Sequence, residues 1–348
     1  MNSRPLFTVC IPAYNRANYL PPLLDSIFEQ DEANFEVLIC EDKSPERDAI
    51  AKVAAQYIAK YPDRLRYIEN ARNLGYDGNI RELVALARGE YCVFMGNDDL
   101  MCAGALTTIA DATRRHPECG VVVRTYATFD QNPTILKQVF RYYPEEHVVP
   151  AGQQAIAVAY RRSVVIPGMV IHRDSAAALA TTEFDGTLLY QLYLVGRILA
   201  KRSVVFIPQI IALRRDGVAP DFGHSEAEKG KFVPQDQTPE SSLHFMAGML
   251  QIAEHVDTAT GLPVFAAIRH DIGSYSYPIL SIQAKRSKWV FLRYGLALGR
   301  MGFWRSPLFH AYFLALLLLG PDRVDALIIW IKNRLGYTPR LGAAKGQV

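Results

Sequence analysis

The sequence lacks paired cysteines. Cys10, Cys40, Cys92, Cys102 and Cys119 form no Cys-x-x-Cys unit, and no histidines stand at zinc-ligand spacing, which excludes a disulfide scaffold and a zinc-finger reading. Three of the five sit in apolar, strand-like runs and are expected to be reduced core residues of a cytosolic protein. A charged-then-apolar leader is also missing, because Pro12 and the polar residues behind it interrupt MNSRPLFTVCIPAYN at once; export is not expected. Long apolar runs are absent as well. The most apolar stretch, AYFLALLLLG at 311–320, ends at Gly320-Pro321 and is about half of the ~20 residues a membrane span needs. No internal repeat and no low-complexity tract is present.

What is there is ordinary globular material. Half of the 348 residues are hydrophobic and 21% are charged, a balance that fits neither disorder nor a fibre. The length exceeds what one hydrophobic core usually supports, so one large catalytic domain with an appended segment, or two domains, is expected. The net charge is only +3, but residues 281–348 hold eleven Lys or Arg against Asp322 and Asp325. A basic, aromatic-rich tail behind an acidic body suggests attraction to a membrane leaflet or a phosphorylated acceptor; solvated basic side chains on a helical tail are the plain alternative. The spacing of Val324, Leu327, Ile328, Ile331 and Leu335, with Trp330 beside them, predicts an amphipathic helix over 322–336 that suits either a membrane interface or a core.

Apolar runs and helical periodicities alternate from the start. LFTVCIP (6–12), FEVLIC (35–40), RLRYIEN (64–70) and YCVFMGNDDL (91–100) read as strands, with helices over about 18–30, 46–60 and 78–90 between them. Short connections in this order argue for an open, mostly parallel sheet covered by helices. GVVVRTYATF (120–129), SVVIPGMVIHR (163–173) and SVVFIPQIIALRR (203–215) add three more strands, and LLYQLYLVGRILA (188–200) a helix. Residues 216–237 are glycine-rich and charged, a loop that could order on binding, and from 241 onward only helices are expected.

In such sheets ligands sit beyond the carboxyl ends of the strands. Pro12, Ala13, Tyr14 and Asn15 follow the first strand, Asp42 the second, and Asn97, Asp98 and Asp99 the fourth. Tyrosine offers a flat face to a base, a carboxylate can accept from a base N–H, and adjacent aspartates can hold a divalent cation that neutralises a departing diphosphate. Taken singly, each is as well explained by helix capping or a turn. Three strand ends together point to a site.

The residues TVCIPAYNRANYLPPLLDSIFEQ (8–30), FEVLICEDKSPE (35–46), NLG (73–75) with Asn79, and GEYCVFMGNDD (89–99) resemble the family 2 glycosyltransferases, which have the GT-A fold. The resemblance is dense over 6–105 and loose over 105–215. It implies an α/β, Rossmann-like, mostly parallel sheet flanked by helices, with a helical C-terminal extension. Residues 1–238 would be the GT-A domain, 1–105 its nucleotide-binding half and 106–238 its acceptor half. Residues 239–348 would form a helical region that associates with membrane.

The resemblance further implies that Ala13 and Tyr14 lie against the nucleobase beside Pro12 and Asn15, and that Asp42 reads the base edge. Asn73, Asn79 and Asn97 would complete the nucleotide pocket, Asp98 would face the ribose or donor sugar, and Asp99 would be the protein ligand of Mn or Mg. The family has an arginine just before the position of Asn79, where this chain has Gly78. Its acceptor-activating carboxylate, about ninety residues after the metal motif, falls on Gln191, and glutamine cannot take a proton. Asp185 and Glu183, just ahead of that helix, are the substitutes; Asp185 with Gly186 also reads as a turn and helix cap. Arg214, Arg215 and His224 flank the loop and could offset leaving-group charge.

The expected chemistry is inverting transfer of a sugar from a nucleoside-diphosphate sugar donor to a glycan or polyprenyl-diphosphate-linked acceptor in cell-surface polysaccharide or O-antigen assembly. Abequosyltransferase-like enzymes are the subgroup resembled. The protein is expected in the cytoplasm, peripheral at the cytosolic face of the inner membrane, with no nucleic-acid partner. A sugar nucleotidyltransferase should carry a glycine-rich loop after the first strand, which PAYNRAN is not. A catalytically impaired binding subunit, suggested by Gln191, is the other alternative.

Overall fold

The computed structural model describes residues 4–335. The chain opens with β1 (Phe7–Ala13), α1 (Leu20–Phe28), β2 (Phe35–Glu41), α2 (Arg47–Lys60), β3 (Leu65–Glu69), α3 (Gly75–Leu86) and β4 (Tyr91–Phe94). β1 lies between β2 and β4 and parallel to both, and β3 extends the sheet beyond β2. β1, β2 and β4 are buried on both faces because both faces are covered. Phe7, Val9 and Ile11 join one core with Leu20, Leu23, Leu24 and Ile27 of α1. Cys10 joins the other with Ile80, Leu83 and Val84 of α3. Pro12 has no N–H to give, but the ladder to β4 stops at Cys10, so no bond on that side is lost.

The second half holds β5 (Leu100–Met101), α4 (Ala105–Arg115), β6 (Cys119–Phe129), β7 (Gln138–Phe140), β8 (His147–Val149), α5 (Gln153–Ala159), β9 (Met169–His172), α6 (Arg173–Ala177), α7 (Tyr190–Leu199) and β10 (Ser203–Arg215). The strands join one sheet in the order β3-β2-β1-β4-β9-β6-β10-β5. β9 runs antiparallel to β4 and β6, while β10 runs parallel to β6 and carries its C-terminal end to Arg215.

One expected strand is only half formed. Of 163–173, the strand keeps Met169–His172, and residues before it turn. The reason is Arg124, fully buried on β6, whose guanidinium donates to the carbonyls of Arg162, Val165 and Pro167. Carbonyls turned to Arg124 are not free for a ladder, and Pro167 has no donor.

The helices α8 (Pro239–Thr260), α9 (Phe265–Ser274), α10 (Tyr277–Ser281), α11 (Lys288–Arg300), α12 (Pro307–Leu319) and α13 (Pro321–Leu335) follow. Thr238 caps α8 by accepting from Ser241 N at 3.0 Å, with Pro239 in the first turn. Their apolar faces share one core with α3, α5 and α7: Ile252, Val256, Ile268, Tyr294, Phe309 and Phe313 belong to the same cluster as Leu83, Ile156 and Leu194. Asp271 of α9 reaches back to Arg161 at 2.7 Å and Arg162 at 3.3 Å. On the expected amphipathic face of α13, Val324 is buried and Leu327 and Trp330 are exposed; the side chains of Ile331 and Leu335, and everything after them, lie outside the described residues.

The turn from α3 into β4 shows how tightly the sheet is closed. A Cβ on Gly89 would stand 2.4 Å from Thr8 N and 2.5 Å from the Phe7 carbonyl carbon. Gly89→Ala is therefore expected to destabilise the protein by about 1–3 kcal/mol. Thermal denaturation should show the lower midpoint, and an unchanged midpoint would contradict the contact.

Candidate active site

Parallel pairing brings the ends of β1, β2 and β4 to one edge. The chain leaves β1 through Asn15 and Arg16, both left-handed at φ 52° and 63°, a conformation asparagine tolerates and arginine seldom adopts. Asn97 Nδ2 donates to Asn15 O at 2.8 Å, fixing this turn to the Asn97-Asp98-Asp99 loop. Arg16 then pairs with Asp98 at 2.8 Å.

Asp99 is buried, its Oδ1 accepting from Arg215 N at 2.9 Å. Burial first, then the neighbouring Asp98 charge, push its carboxyl well above the usual carboxylate range. Arg215 Nε donates to Asp98 O at 3.0 Å, and its guanidinium lies 4.5 Å from the ring centres of both Tyr19 and Phe129. Arg214 instead pairs with Asp216. Among the described residues no group of three or more His, Cys, Asp or Glu side chains is set to hold a metal.

The paired acids after β2 divide their work. Glu41 turns inward and accepts from the backbone N–H groups of Lys43 and Ser44. Asp42 Oδ1 accepts from Asn70 Nδ2 and Leu74 N, and Oδ2 from Gly75 N, each at 2.8 Å. A carboxylate offers about four lone-pair sites, so one on Oδ2 is left for a ligand. Burial raises this carboxyl to about 6, against the pull of its three donors. Asn73 accepts from Gly75 N. Asn79 is buried, donating to Cys40 O and accepting from Asn70; it meets Asp42 only through Asn70.

Residues 216–237 lie across these strand ends. His224 packs against Tyr14 with ring centres 5.3 Å apart and planes tilted by 30°, and Asp221 accepts from Asn15 Nδ2 at 2.7 Å and lies 2.9 Å from His224 Nε2. Burial would raise the Asp221 carboxyl, yet hydrogen bonds from His224 and Asn15, with Arg16 nearby, hold it below the usual range. The Tyr14 phenol is pushed up to about 12 by burial and by Asp221 and Asp42. Buried Glu228 accepts from Tyr76 N at 2.8 Å and Gly223 N at 2.9 Å, tying the loop to the start of α3.

The acceptor-side candidates are dispersed. Asp185 faces Arg81, whose Nη1 and Nη2 reach both of its oxygens at 2.5 and 3.0 Å. Glu183 is half exposed and lies 3.4 Å from His255 of α8, apart from the strand-end residues. Gln191 is buried; its Nε2 donates to Val164 O, and its Oε1 has no partner among the described residues.

Sequence comparison agrees with the geometry. Residues 8–177 match the profile of Glycosyl transferase family 2. This segment belongs to that family. Over 104 residues the chain is 35% identical to an abequosyltransferase of Salmonella typhimurium, covering 30% of this chain and 31% of that protein. Over 106 residues it is 31% identical to the GalNAc(5)-diNAcBac-PP-undecaprenol beta-1,3-glucosyltransferase of Campylobacter jejuni, covering 30% and 33%. The matches thus span about a third of these relatives' lengths. Among solved structures, S. aureus TarS in complex with UDP-GlcNAc superposes with a TM-score of 0.53 at 16% identity over 96% of this chain and 93% of that one. The Pyrobaculum calidifontis mannosyltransferase PcManGT, in complex with GDP-Man and Mn2+, gives 0.50 at 17% identity over 92% and 88%. The fold is GT-A.

The family 2 segment also contains a residue that sequence reasoning missed. Asp77 of α3 is buried and accepts from the backbone N–H groups of Gly186, Thr187 and Leu188 on Oδ2 and of Tyr190 on Oδ1, at 2.8 to 3.0 Å. It thereby shapes the turn between Asp185 and Gln191 and caps α7. The available signal was its place at helical spacing with Ile80 and Val84, on the apolar face of α3. Removing the carboxylate leaves four buried donors unpaired, each such group costing about 1–3 kcal/mol. Asp77→Ala is expected to lower the unfolding midpoint by several degrees, and a midpoint equal to wild type would show that the turn holds itself.

Proposed function

We propose that this chain is an inverting glycosyltransferase that moves a sugar from a nucleoside-diphosphate donor to a hydroxyl of a glycan or polyprenyl-linked acceptor in cell-surface polysaccharide or O-antigen assembly. The observation that carries the reading is the meeting of Tyr14, Asp42, Asp98 and Asp99 at one sheet edge, within a segment of family 2. Residues 1–238 would do the chemistry, 1–105 holding the nucleotide and 106–238 the acceptor. Residues 239–348 would set the enzyme at the cytosolic face of a membrane.

The site suits a sugar nucleotide. Tyr14 and Ala13 would lie against the base, and the free lone pair of Asp42 would accept a base N–H. The Asp98-Asp99 pair is a hard oxygen donor set, which fits Mn or Mg with further oxygens supplied by a diphosphate. A cation beside Asp99 would offset the desolvation and the repulsion from Asp98 that raise its carboxyl. When bound, the ion would offset charge on the departing diphosphate. Arg16, Arg215 and His224 stand where they can do the same.

In the transfer, the acceptor oxygen bonds to the anomeric carbon as the carbon–oxygen bond to the nucleoside diphosphate breaks. The acceptor proton passes to a base. We assign that base to Asp185, with Glu183 as its substitute. Both oxygens of Asp185 contact Arg81, and each keeps a lone pair for a hydroxyl. A second reading, a sugar-nucleotide-binding subunit without transfer, is favoured by Gln191 and by that Arg81 contact.

Nucleoside diphosphate with Mn should raise the thermal midpoint of wild type, and the rise should vanish in Asp99→Ala; indifference to UDP, GDP, CDP and dTDP alike would overturn the pocket. Asp185→Asn should keep the shift and lose at least about a hundredfold in turnover, the usual scale of general-base catalysis. Unchanged turnover would move the role to Glu183, and absence of transfer by wild type, despite binding, would favour the second reading.

Binding should also depend on pH. With the Asp42 carboxyl near 6, lowering pH through that value protonates it and removes the acceptor for a base N–H. Affinity for nucleoside diphosphate should fall below about pH 6, and this part of the profile should flatten in Asp42→Asn. A profile identical in the two proteins would take Asp42 out of base recognition.

A further inference from the structure

The last helices present a surface that the transfer chemistry does not use. All three tryptophans of the chain, Trp289, Trp304 and Trp330, lie there and are exposed. On α11, Trp289, Arg293, Leu296 and Arg300 face solvent at spacings of four, three and four residues, while Phe291, Tyr294 and Leu298 face the core. On α12 the same period exposes Pro307, Ala311, Leu314 and Leu318, with Leu318 at 72%, above buried Phe309, Phe313 and Leu316. These are core helices whose outer faces are also partly apolar.

Between the connection from α10 to α11 and the turn from α12 to α13 lies a groove of about 520 Å³. Its walls bring Lys288, Arg286 and Arg323 beside the apolar run Leu316–Leu319, together with one carboxylate, Asp322, which lies 3.8 Å from Lys285. Arg286 is held by Asp236 at 3.0 Å. Among the described residues, no carboxylate lies within ion-pair reach of Lys288, Arg293, Arg300 or Arg323. Free cations next to exposed leucine, on helices that also expose tryptophan, match the water–hydrocarbon boundary of an anionic leaflet. No described helix is long and apolar enough to cross a membrane, so the contact would lie in the interface.

We propose that the outer face of α11 and α12 docks on an anionic phospholipid leaflet, the groove taking one lipid with its phosphate at Lys288 and Arg323 and its upper acyl chain along Leu317 and Leu318. This rests on the reading of the C-terminal region as the membrane side of the enzyme, and names the lipid charge and the residues that meet it.

Full-length protein is sedimented with phosphatidylcholine vesicles, with and without phosphatidylglycerol. Binding should rise at least about tenfold with phosphatidylglycerol and collapse at about 1 M salt, where charges are screened within a few ångströms. A triple change, Lys288→Glu with Arg293→Glu and Arg300→Glu, should lose that gain, because it replaces the basic groups that draw the face to an anionic surface. Leu314→Ser with Leu318→Ser should weaken binding while keeping the preference for phosphatidylglycerol.

Equal sedimentation with both vesicles, none with either, or a triple variant that behaves like wild type would overturn the proposal. So would a lipid-free dimer that the two serine changes convert to monomer, since the face would then serve a second copy. The nucleoside-diphosphate thermal shift, measured without lipid on wild type and the triple variant, separates the two readings. A normal shift with no vesicle binding sinks the lipid site alone, whereas vesicle binding with no shift sinks the transferase reading alone.

Discussion

The parallel pairing of β1 with β2 sets the level at which everything else in the site begins. Ala13 stands opposite Glu41, and Asp42 N donates to Ala13 O at 2.9 Å, so the ladder's last bond joins the two residues that open the pocket. Tyr14 and Asp42 leave the sheet together. On the other side of β1, pairing with β4 ends at Cys10 and Phe94, and the earlier exit of β4 gives the Asn97-Asp98-Asp99 loop room to turn back toward Asn15. A slip of one residue in either ladder would send each of these side chains to the opposite face.

Around that edge the charges are already partnered. Asp98 has Arg16, Asp221 has His224 and Asn15, and Asp99 has a backbone donor from the residue that also grips the Asp98 carbonyl. Under the proposed reading, a metal-bound diphosphate would exchange partners here rather than meet bare charge: cation for Arg16 at Asp98, phosphate for Asp98 at Arg16 and for Asp221 at His224. Exchange keeps the cost of desolvating isolated charges low in both states.

The parts legible in the sequence are those written locally. Continuous apolar runs marked β1, β2 and β4, and the polar residues directly behind them marked the edge, because a parallel sheet must place them there. The brevity of 311–320 likewise gave a non-spanning helix, observed as Pro307–Leu319. What stayed hidden depends on partners far along the chain. Asp77 meets backbone 109 to 113 residues away, Glu228 meets Tyr76 N across 152, and Arg124 dismantles half of a strand that its composition favours. The helical spacing of Asp77 with Ile80 and Val84 marks it as facing inward, but nothing local names the four amide groups it meets there. Asp185 shows the converse, since the turn before α7 was foreseeable and its clasp by Arg81 was not.

The close approach of α7 to α8 bears on how this protein can be re-engineered. A Cβ on Gly196 would stand 2.6 Å from Val256, and Asp271 of α9 is shared with Arg161 and Arg162 beyond α5. The C-terminal helices are therefore not a detachable module. A chimera that exchanged them for those of a relative would inherit a mismatched seam unless it also carried the facing surfaces of α5 and α7.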